Sequence, residues 1–207
     1  MTDSERREAI RSYFAESADT KRRTVVQCED AILAAAHLIA HSFRAGGKVL
    51  LCGNGGSAAD CQHMAAEFVS RLSKDFHRPG LPAIALTTDS SFLTAFANDC
   101  GFDGVFERQV QALGRPDDIL IGISTSGSSP NVVRAVRLAR VAGLRTIVFT
   151  GAGGQLAALA DVAINVPSTD TQHIQEAHLA VEHLICWLVE RDLYCSPAVV
   201  HEQEHAR

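Results

Sequence analysis

The chain of 207 residues lacks the features that mark membrane and secreted proteins. No apolar run approaches the roughly 20 residues that a membrane-spanning helix needs. The N-terminal sequence Met-Thr-Asp-Ser-Glu-Arg-Arg-Glu also lacks the apolar stretch of a signal peptide. We therefore expect a cytoplasmic protein with no membrane partner.

Paired cysteines and excess positive charge are missing as well. The six cysteines are scattered without a Cys-x-x-Cys pair, which argues against a disulfide framework and for buried free thiols. Of these thiols, we expect Cys61 and Cys195 to be the most exposed or the nearest to a site. With 19 Lys and Arg against 24 Asp and Glu, the formal net charge is −5, so DNA or RNA is disfavoured as a direct partner.

The chain does contain short apolar runs that alternate with helix-length segments. Its hydrophobic content of 46% is sufficient for one domain with one sizeable core. Continuous apolar runs are typical of parallel strands that are covered on both faces. We predict an α/β three-layer sandwich with a parallel sheet of about five strands, at residues 48–53, 82–87, 119–124, 145–151 and 162–167.

The sequence ahead of the sheet has helical periodicity at 6–15 and 21–45, and Gly46-Gly47 ends the second segment. These helices have no predicted strand to cover. Their apolar face would pack on the same chain or on another subunit, and periodicity favours neither: Ile32, Ala35, Ala36, Ile39, Phe43. The predicted organisation is N-terminal helices at 1–45, a domain at 46–193 that ends in a helix at 171–191, and a mobile tail at 194–207 with solvated His201 and His205.

A glycine-rich loop follows the first predicted strand, with the sequence Cys-Gly-Asn-Gly-Gly-Ser-Ala-Ala-Asp at 52–60. Its glycines let the backbone approach a ligand, and Ser57 with Asp60 resembles a capping box. The pattern Gly53-x-Gly55-x-x-Ala58 also satisfies the dinucleotide fingerprint. Because the acidic residue that this fingerprint requires has only a poorly placed candidate, nucleotide binding stays a minor alternative.

A serine-rich loop follows the third predicted strand, with the sequence Ser-Thr-Ser-Gly-Ser-Ser-Pro-Asn at 124–131. Ser129 as the helix N-cap and Pro130 as the first helical residue account for one hydroxyl. Four serines and one threonine within six residues exceed what a cap uses. Together with the helix N-terminus they favour a phosphate cradle over a plain loop.

Polar residues on two predicted helices are candidates for chemistry. His63 and Glu67 lie at i and i+4 and can hold a divalent metal, although for these residues alone a solvated pair of Glu67 with Arg71 is the favoured explanation. On the last helix, Gln175 and His183 are separated by about 12 Å along the axis. One ion would have to draw both inward, or they come from different chains. We interpret His173 and His178 as packing or surface residues.

Several of these segments resemble the phosphoheptose isomerases, a branch of the SIS (sugar isomerase) domain family, over about 46–190. The motifs that carry the resemblance are Cys-Gly-Asn-Gly-Gly-Ser-Ala-Ala-Asp-Cys-Gln-His-Met-Ala-Ala-Glu, Leu-Pro-Ala-Ile-Ala-Leu-Thr-Thr-Asp, Ala-Asn-Asp-Cys-Gly-Phe, Gly-Ile-Ser-Thr-Ser-Gly-Ser-Ser-Pro-Asn-Val and Ile-Gln-Glu-Ala-His. The resemblance implies a flavodoxin-like sheet, a homotetramer with active sites at subunit contacts, and conversion of sedoheptulose 7-phosphate to D-glycero-D-manno-heptose 7-phosphate.

The resemblance also implies a role for each matching residue. It implies one Zn²⁺ per active site, held by His63, Glu67, Gln175 and His183. It makes Glu67 the base and His183 the acid, which requires ligation to be loose or to exchange with substrate. The implied substrate-binding residues are Asn54, Gly55, Gly56, Ser57, Arg71, Asn98, Asp99, Ser124, Thr125, Ser126, Ser129 and Gln175.

Two rival functions come from the same domain family. One is a SIS-type module that binds protein partners and is associated with replication initiation. The resemblance implies that such modules lack a complete set of metal ligands, whereas this chain has both His63 and His183. The other is a sugar-phosphate-sensing regulator, which is disfavoured because no DNA-binding domain is attached.

Overall fold

The computed structural model describes residues 1–195 and contains a five-stranded, all-parallel sheet. The strands are β1 Val49–Gly53, β2 Ala83–Ala85, β3 Ile119–Ser124, β4 Arg145–Thr150 and β5 Val162–Asn165. The helices are α1 Asp3–Arg44, α2 Gly56–Val69, α3 Ser90–Cys100, α4 Val105–Leu113, α5 Pro130–Val141, α6 Leu156–Leu159 and α7 Thr171–Tyr194, with a 3-10 turn at Phe102–Gly104. The strand order is β2-β1-β3-β4-β5. This confirms the α/β fold with about five parallel strands.

The sheet is the middle layer of three. On β3, Ile119, Ile121 and Ile123 point to a core shared with α1, α2 and α7, whereas Leu120 points to the opposite core under α4 and α5. All six residues of β3 are buried. Alternate side chains leave a strand on opposite faces, so a strand covered on both sides is apolar at nearly every position.

Helix α1 is one helix of 42 residues, where the sequence pattern predicted two. The interval between the predicted helices, 16–20, carries Ser17 and Thr20 on the buried face of α1, and Thr24 follows one turn later. The apolar period disappears there although the helix continues. Ser17 donates a hydrogen bond to Glu176 of α7, which shows how a polar face is accommodated in this contact.

The face of α1 that carries Ile32, Ala35, Ala36 and Ile39 is buried within the chain. It packs against α7 and against β5, so the expectation that the N-terminal residues have no strand to cover is wrong. Phe43, near the end of α1, stacks edge-on against Phe68 of α2. Intrachain packing, one of the two alternatives, therefore accounts for this apolar face.

Three smaller expectations meet the structure as follows. Cys61 was expected to be exposed or near a site, and the first alternative is wrong: Cys61 is fully buried, because it lies on the side of α2 that faces the sheet and α7. Cys195 is exposed. Helix α7 continues to Tyr194, and residues 196–207 of the predicted tail, including His201 and His205, lie outside the described residues. Among residues 1–195, none of the helices is long and apolar enough to cross a membrane.

His178 of α7 is a fully buried histidine that packs edge-on against Phe149. Its Nε2 lies 3.1 Å from the carbonyl oxygen of Thr150, which makes Nε2 the protonated nitrogen of a neutral ring. Burial lowers the pKa of His178 from its ordinary 6.5 to about 4. His178 is therefore a packing residue, one of the two alternatives predicted for it.

The lowered pKa of His178 predicts a pH dependence of stability. Below pH 6.5 the unfolded chain binds a proton that the folded chain rejects, so stability is present above 6.5 and falls as the pH falls towards 4. The expected contribution is roughly 3 kcal/mol of unfolding free energy. Denaturant unfolding at several pH values would measure it. The His178→Gln variant should lose this component of the slope, and a slope identical to that of the parent would contradict the assignment.

Candidate active site

The two loops predicted to bind a ligand lie side by side. Strands β1 and β3 are neighbours in the sheet, and the glycine-rich and serine-rich loops leave their carboxyl ends. Because β2 lies on one side of β1 and β3 on the other, this is where the strand order reverses, the place where doubly wound sheets bind ligands. Asn54 and Asn131 join the loops through two reciprocal amide hydrogen bonds of 2.9 Å.

Two glycines of the glycine-rich loop have different surroundings. Gly55 has φ +58°, a left-handed conformation that favours glycine. At Gly56, a β-carbon would collide with the side-chain amide of Gln175. Helix α2 begins at Gly56 without a side-chain cap, so the predicted capping box of Ser57 and Asp60 is wrong. Ser57 is buried, and the two glycines present backbone at an exposed turn.

The serine-rich loop brings three hydroxyl groups together. The Oγ of Ser124 lies 2.8 Å from that of Ser129 and 3.3 Å from that of Ser126. Ser129 is the N-cap of α5 by position, with Pro130 first in the helix, but its hydroxyl makes no capping bond. Gly127, at φ +63°, packs against Gly153 and Gly154. These hydroxyls cluster at the positive end of α5, an arrangement that could bind a phosphate group.

Three of the four predicted metal ligands converge on one another. The ligand atoms of His63, Glu67 and His183 all lie within 4.8 Å of one another. The two imidazole Nε2 atoms are 2.7 Å apart, and Nε2 of His63 lies 3.6 Å from a carboxylate oxygen of Glu67. The helical pitch places Glu67 one turn after His63, and α7, the neighbouring helix in the same layer, supplies His183.

This donor set fits zinc. Two imidazoles and a carboxylate are common zinc ligands, and neighbouring ligands of a tetrahedral ion are about 3.3 Å apart. The 3.6 Å between His63 and Glu67 is close to this value. The two imidazole nitrogens, which are 2.7 Å apart, would have to move about 0.6 Å further apart to bind one ion. Three protein ligands leave a further position open, as in catalytic zinc sites.

Gln175 lies next to the glycine-rich loop, apart from the three converging residues. Helices α2 and α7 run in parallel, since Gln175 meets Gly56 and His183 meets His63 further along both helices. The eight-residue interval on α7 separates Gln175 from His183 by about 12 Å. Within this chain Gln175 is therefore placed to contact a ligand of the glycine-rich loop.

The remaining predicted site residues lie at the surface. Asn98 and Asp99 near the end of α3 are exposed, and they hydrogen-bond to each other across 2.8 Å. Arg71 is exposed and directs its guanidinium towards the carbonyl oxygen of Lys74. Among residues 1–195, no ion pair joins Arg71 to Glu67, so the surface-pair alternative for Glu67 is wrong.

A buried carboxyl group, Glu182, and a partly buried one, Asp60, lie beside the cluster, and the sequence pointed to neither as a site residue. Glu182 precedes His183 and is 1% exposed; among the described residues, neither of its carboxyl oxygens has a hydrogen-bond partner. Burial, reinforced by the charge of Asp60, raises the pKa of Glu182 to about 8. Burial raises the pKa of Asp60 to about 6. The sequence signal available for Glu182 was the position of an acidic residue on the apolar face of α7.

Comparison with known proteins agrees with this architecture. Residues 12–151 match the family model described as "SIS domain". A phosphoheptose isomerase of Roseiflexus sp. is 56% identical over 179 residues, which cover 86% of this chain and 90% of that protein. The solved phosphoheptose isomerase of Neisseria gonorrhoeae has a TM-score of 0.83 and 44% identity, covering 88% of this chain and 97% of that one. The one from Francisella tularensis has a TM-score of 0.86 and 38% identity, covering 92% and 100%.

The parallel sheet, its paired ligand loops and the matched domain define a protein of the sugar-isomerase (SIS) class. The sequence similarity to the phosphoheptose isomerases extends over most of this chain and over most of each relative. The chain belongs to the phosphoheptose isomerase family.

Proposed function

We propose that this protein interconverts sedoheptulose 7-phosphate and D-glycero-D-manno-heptose 7-phosphate in a zinc-dependent reaction. One observation carries the proposal. The two residues assigned to proton transfer, Glu67 and His183, converge with His63 in a chain that is 56% identical to a phosphoheptose isomerase. The replication-associated binding module is set aside, since relatives at this identity are named as isomerases.

The reaction moves a hydrogen between two neighbouring carbons of the sugar. A proton leaves C1 of the ketose while the C2 carbonyl oxygen gains a proton, which gives an enediol. A proton then returns to C2, the C1 hydroxyl loses its proton, and the aldose forms. Each positioned acid or base accelerates such transfers by about 10²- to 10⁴-fold.

Glu67 and His183 are placed for these two transfers. Glu67 projects from α2 beside His63, in a partly buried position that restricts the access of water. We assign Glu67 to take the proton from carbon and His183 to serve the oxygens. When bound by His63, Glu67 and His183, zinc would polarise the carbonyl of the substrate. Gln175 and the backbone of Gly55 and Gly56 would orient the sugar hydroxyls.

The serine-rich loop would hold the phosphate group, which does not take part in the proton transfers. Replacing Ser126 and Ser129 by Ala should therefore raise KM for the sugar phosphate, by about 10-fold or more, and leave kcat close to that of the parent. Steady-state kinetics would measure both constants. Ser128→Ala, on the same loop, is the matched control. A collapse of kcat at saturating substrate with KM unchanged would contradict the phosphate assignment.

We also propose a cytoplasmic homotetramer with active sites at subunit contacts. An apolar groove of about 140 Å³ runs between α1 and α7, beside the exposed side chains of Val25 and Leu184. Exposed apolar surface of this kind is typical of subunit contacts. A second copy would also complete a site whose residues Asn98 and Asp99 point to solvent. Light scattering at several concentrations would test the tetramer, and a monomeric active enzyme would contradict it.

The activity is tested by incubating the purified protein with sedoheptulose 7-phosphate and following the aldose by NMR. Sedoheptulose without the phosphate is the matched control substrate. We expect conversion of the phosphorylated sugar, with kcat/KM for the control lower by about 10²-fold or more. Absence of conversion by zinc-loaded protein would contradict the proposed function.

A further inference from the structure

Arg78 has a fully buried guanidinium although it lies outside the proposed catalytic cluster. It belongs to the segment between α2 and β2, and its side chain is 0% exposed, while that of its ion-pair partner Glu190 is 2% exposed. A buried charge persists only where partners surround it. The Nε of Arg78 donates to Glu190 over 2.7 Å, and its Nη atoms donate to the backbone oxygens of Glu67, Phe68 and Pro79 over 2.7 to 2.9 Å.

Two of these bonds cap the end of α2. The last carbonyl groups of a helix have no partner within the helix, and they form the negative end of its dipole. Helix α2 ends at Val69, and the carbonyl oxygens of Glu67 and Phe68 both accept from Arg78. Arg78 therefore fixes the backbone of the residue that carries the proposed catalytic carboxylate.

Glu190 connects the same guanidinium to α7. Its carboxylate also accepts a hydrogen bond of 3.2 Å from the backbone N–H of Leu72, just after α2. Through its bonds to the carbonyl groups of α2 and to Glu190, Arg78 therefore links the end of α2 to α7 beyond the point where His63 meets His183. Because the two helices are parallel, a slip of one turn would displace one imidazole from the other by about 5.4 Å.

We propose that Arg78 is a positioning residue of the active site, which fixes the register of α2 against α7 and the backbone of Glu67. This inference rests on the proposed function for its effect on catalysis, but its effects on metal binding and on helix dynamics do not require that function. Small displacements matter, since an error of about 1 Å in the placement of a reacting group can lower a rate by about 10²-fold.

The test uses a double variant, Arg78→Met with Glu190→Gln, which removes both charges and leaves no unpaired buried ion. The matched control is Lys48→Met with Asp118→Asn, which removes the largely buried pair at the amino end of the sheet. In the Arg78 double variant we expect zinc affinity and kcat each to fall by about 10-fold or more, with KM nearly unchanged. Hydrogen exchange at the amide of Leu81, which donates to the carbonyl of Phe68, should become faster. The control should retain all of these values.

Arg78→Lys provides a second variant that keeps the positive charge beside Glu190. A single ammonium group cannot reach Glu190 and both α2 carbonyl groups together, so we expect losses of at least about 5-fold in zinc affinity and kcat. Unchanged zinc affinity, exchange and kcat in either folded variant would overturn the proposal. If the parent protein binds zinc but does not isomerise the sugar, the proposed function fails, while zinc titration and hydrogen exchange still decide the role of Arg78.

Discussion

Replacing Glu67 by Gln is expected to lower kcat by at least about 10²-fold. The change keeps the size of the side chain and its ability to hydrogen-bond, but it removes the negative charge and the capacity to take a proton from carbon. Glu67 lies 3.6 Å from Nε2 of His63 in a partly buried position. Steady-state kinetics with sedoheptulose 7-phosphate would measure the loss.

The controls for Glu67→Gln separate a base from a metal ligand. Glu29→Gln makes the same chemical change at an exposed position of α1 and should leave kcat unchanged. The zinc content of the Glu67 variant is measured alongside its rate. A variant that holds zinc and isomerises at nearly the parent rate would defeat the mechanism. A variant that loses zinc together with activity would make Glu67 a ligand and leave His183 as the next candidate for the base.

Removal of zinc by a chelator should lower kcat by about 10²-fold or more, because the carbonyl of the substrate is no longer polarised. The fold should persist. The sheet is buried on both faces by two apolar layers, whereas the three proposed ligands lie on helix surfaces that other contacts already hold together. Elemental analysis and activity would be measured before and after treatment, and circular dichroism would monitor folding.

Restoring zinc to the treated protein should restore the rate, and the purified protein should carry about one ion per site. The His63→Ala variant should fail to recover in the same experiment, because it lacks one of the two converging imidazoles. Fully active protein with no divalent metal would contradict the zinc proposal. Unfolding on chelation would show that the metal is needed for the fold.

The central strands could be predicted from the sequence because a strand buried on both faces has a continuous apolar pattern. Strand β3 has the predicted bounds, 119–124, and all of its residues are buried. Strand β2 is three residues long, where six were predicted, because it is an edge strand with one neighbour. Helix α1 was divided in the prediction because its buried face becomes polar where it meets Glu176.

The local part of the site could also be predicted, since helical pitch alone places Glu67 beside His63. Contacts between elements could not. The distance from His63 to His183 depends on the register of α2 against α7, which tertiary contacts determine. Arg78 gave no sequence signal, because an arginine in a loop is ordinarily solvated. The pairing of Asn54 with Asn131 likewise joins residues that are 77 positions apart.

The most direct test of the central claim follows the migrating hydrogen. Ketose deuterated at C1 is converted in ordinary water, and the deuterium at C2 of the aldose is measured by NMR. Transfer of a proton through Glu67 predicts that C2 carries hydrogen from the solvent in a substantial fraction of the product, because a carboxylic acid exchanges with water. Complete retention of deuterium at C2, in product formed at the full rate, would indicate a direct shift between carbons and would contradict the account.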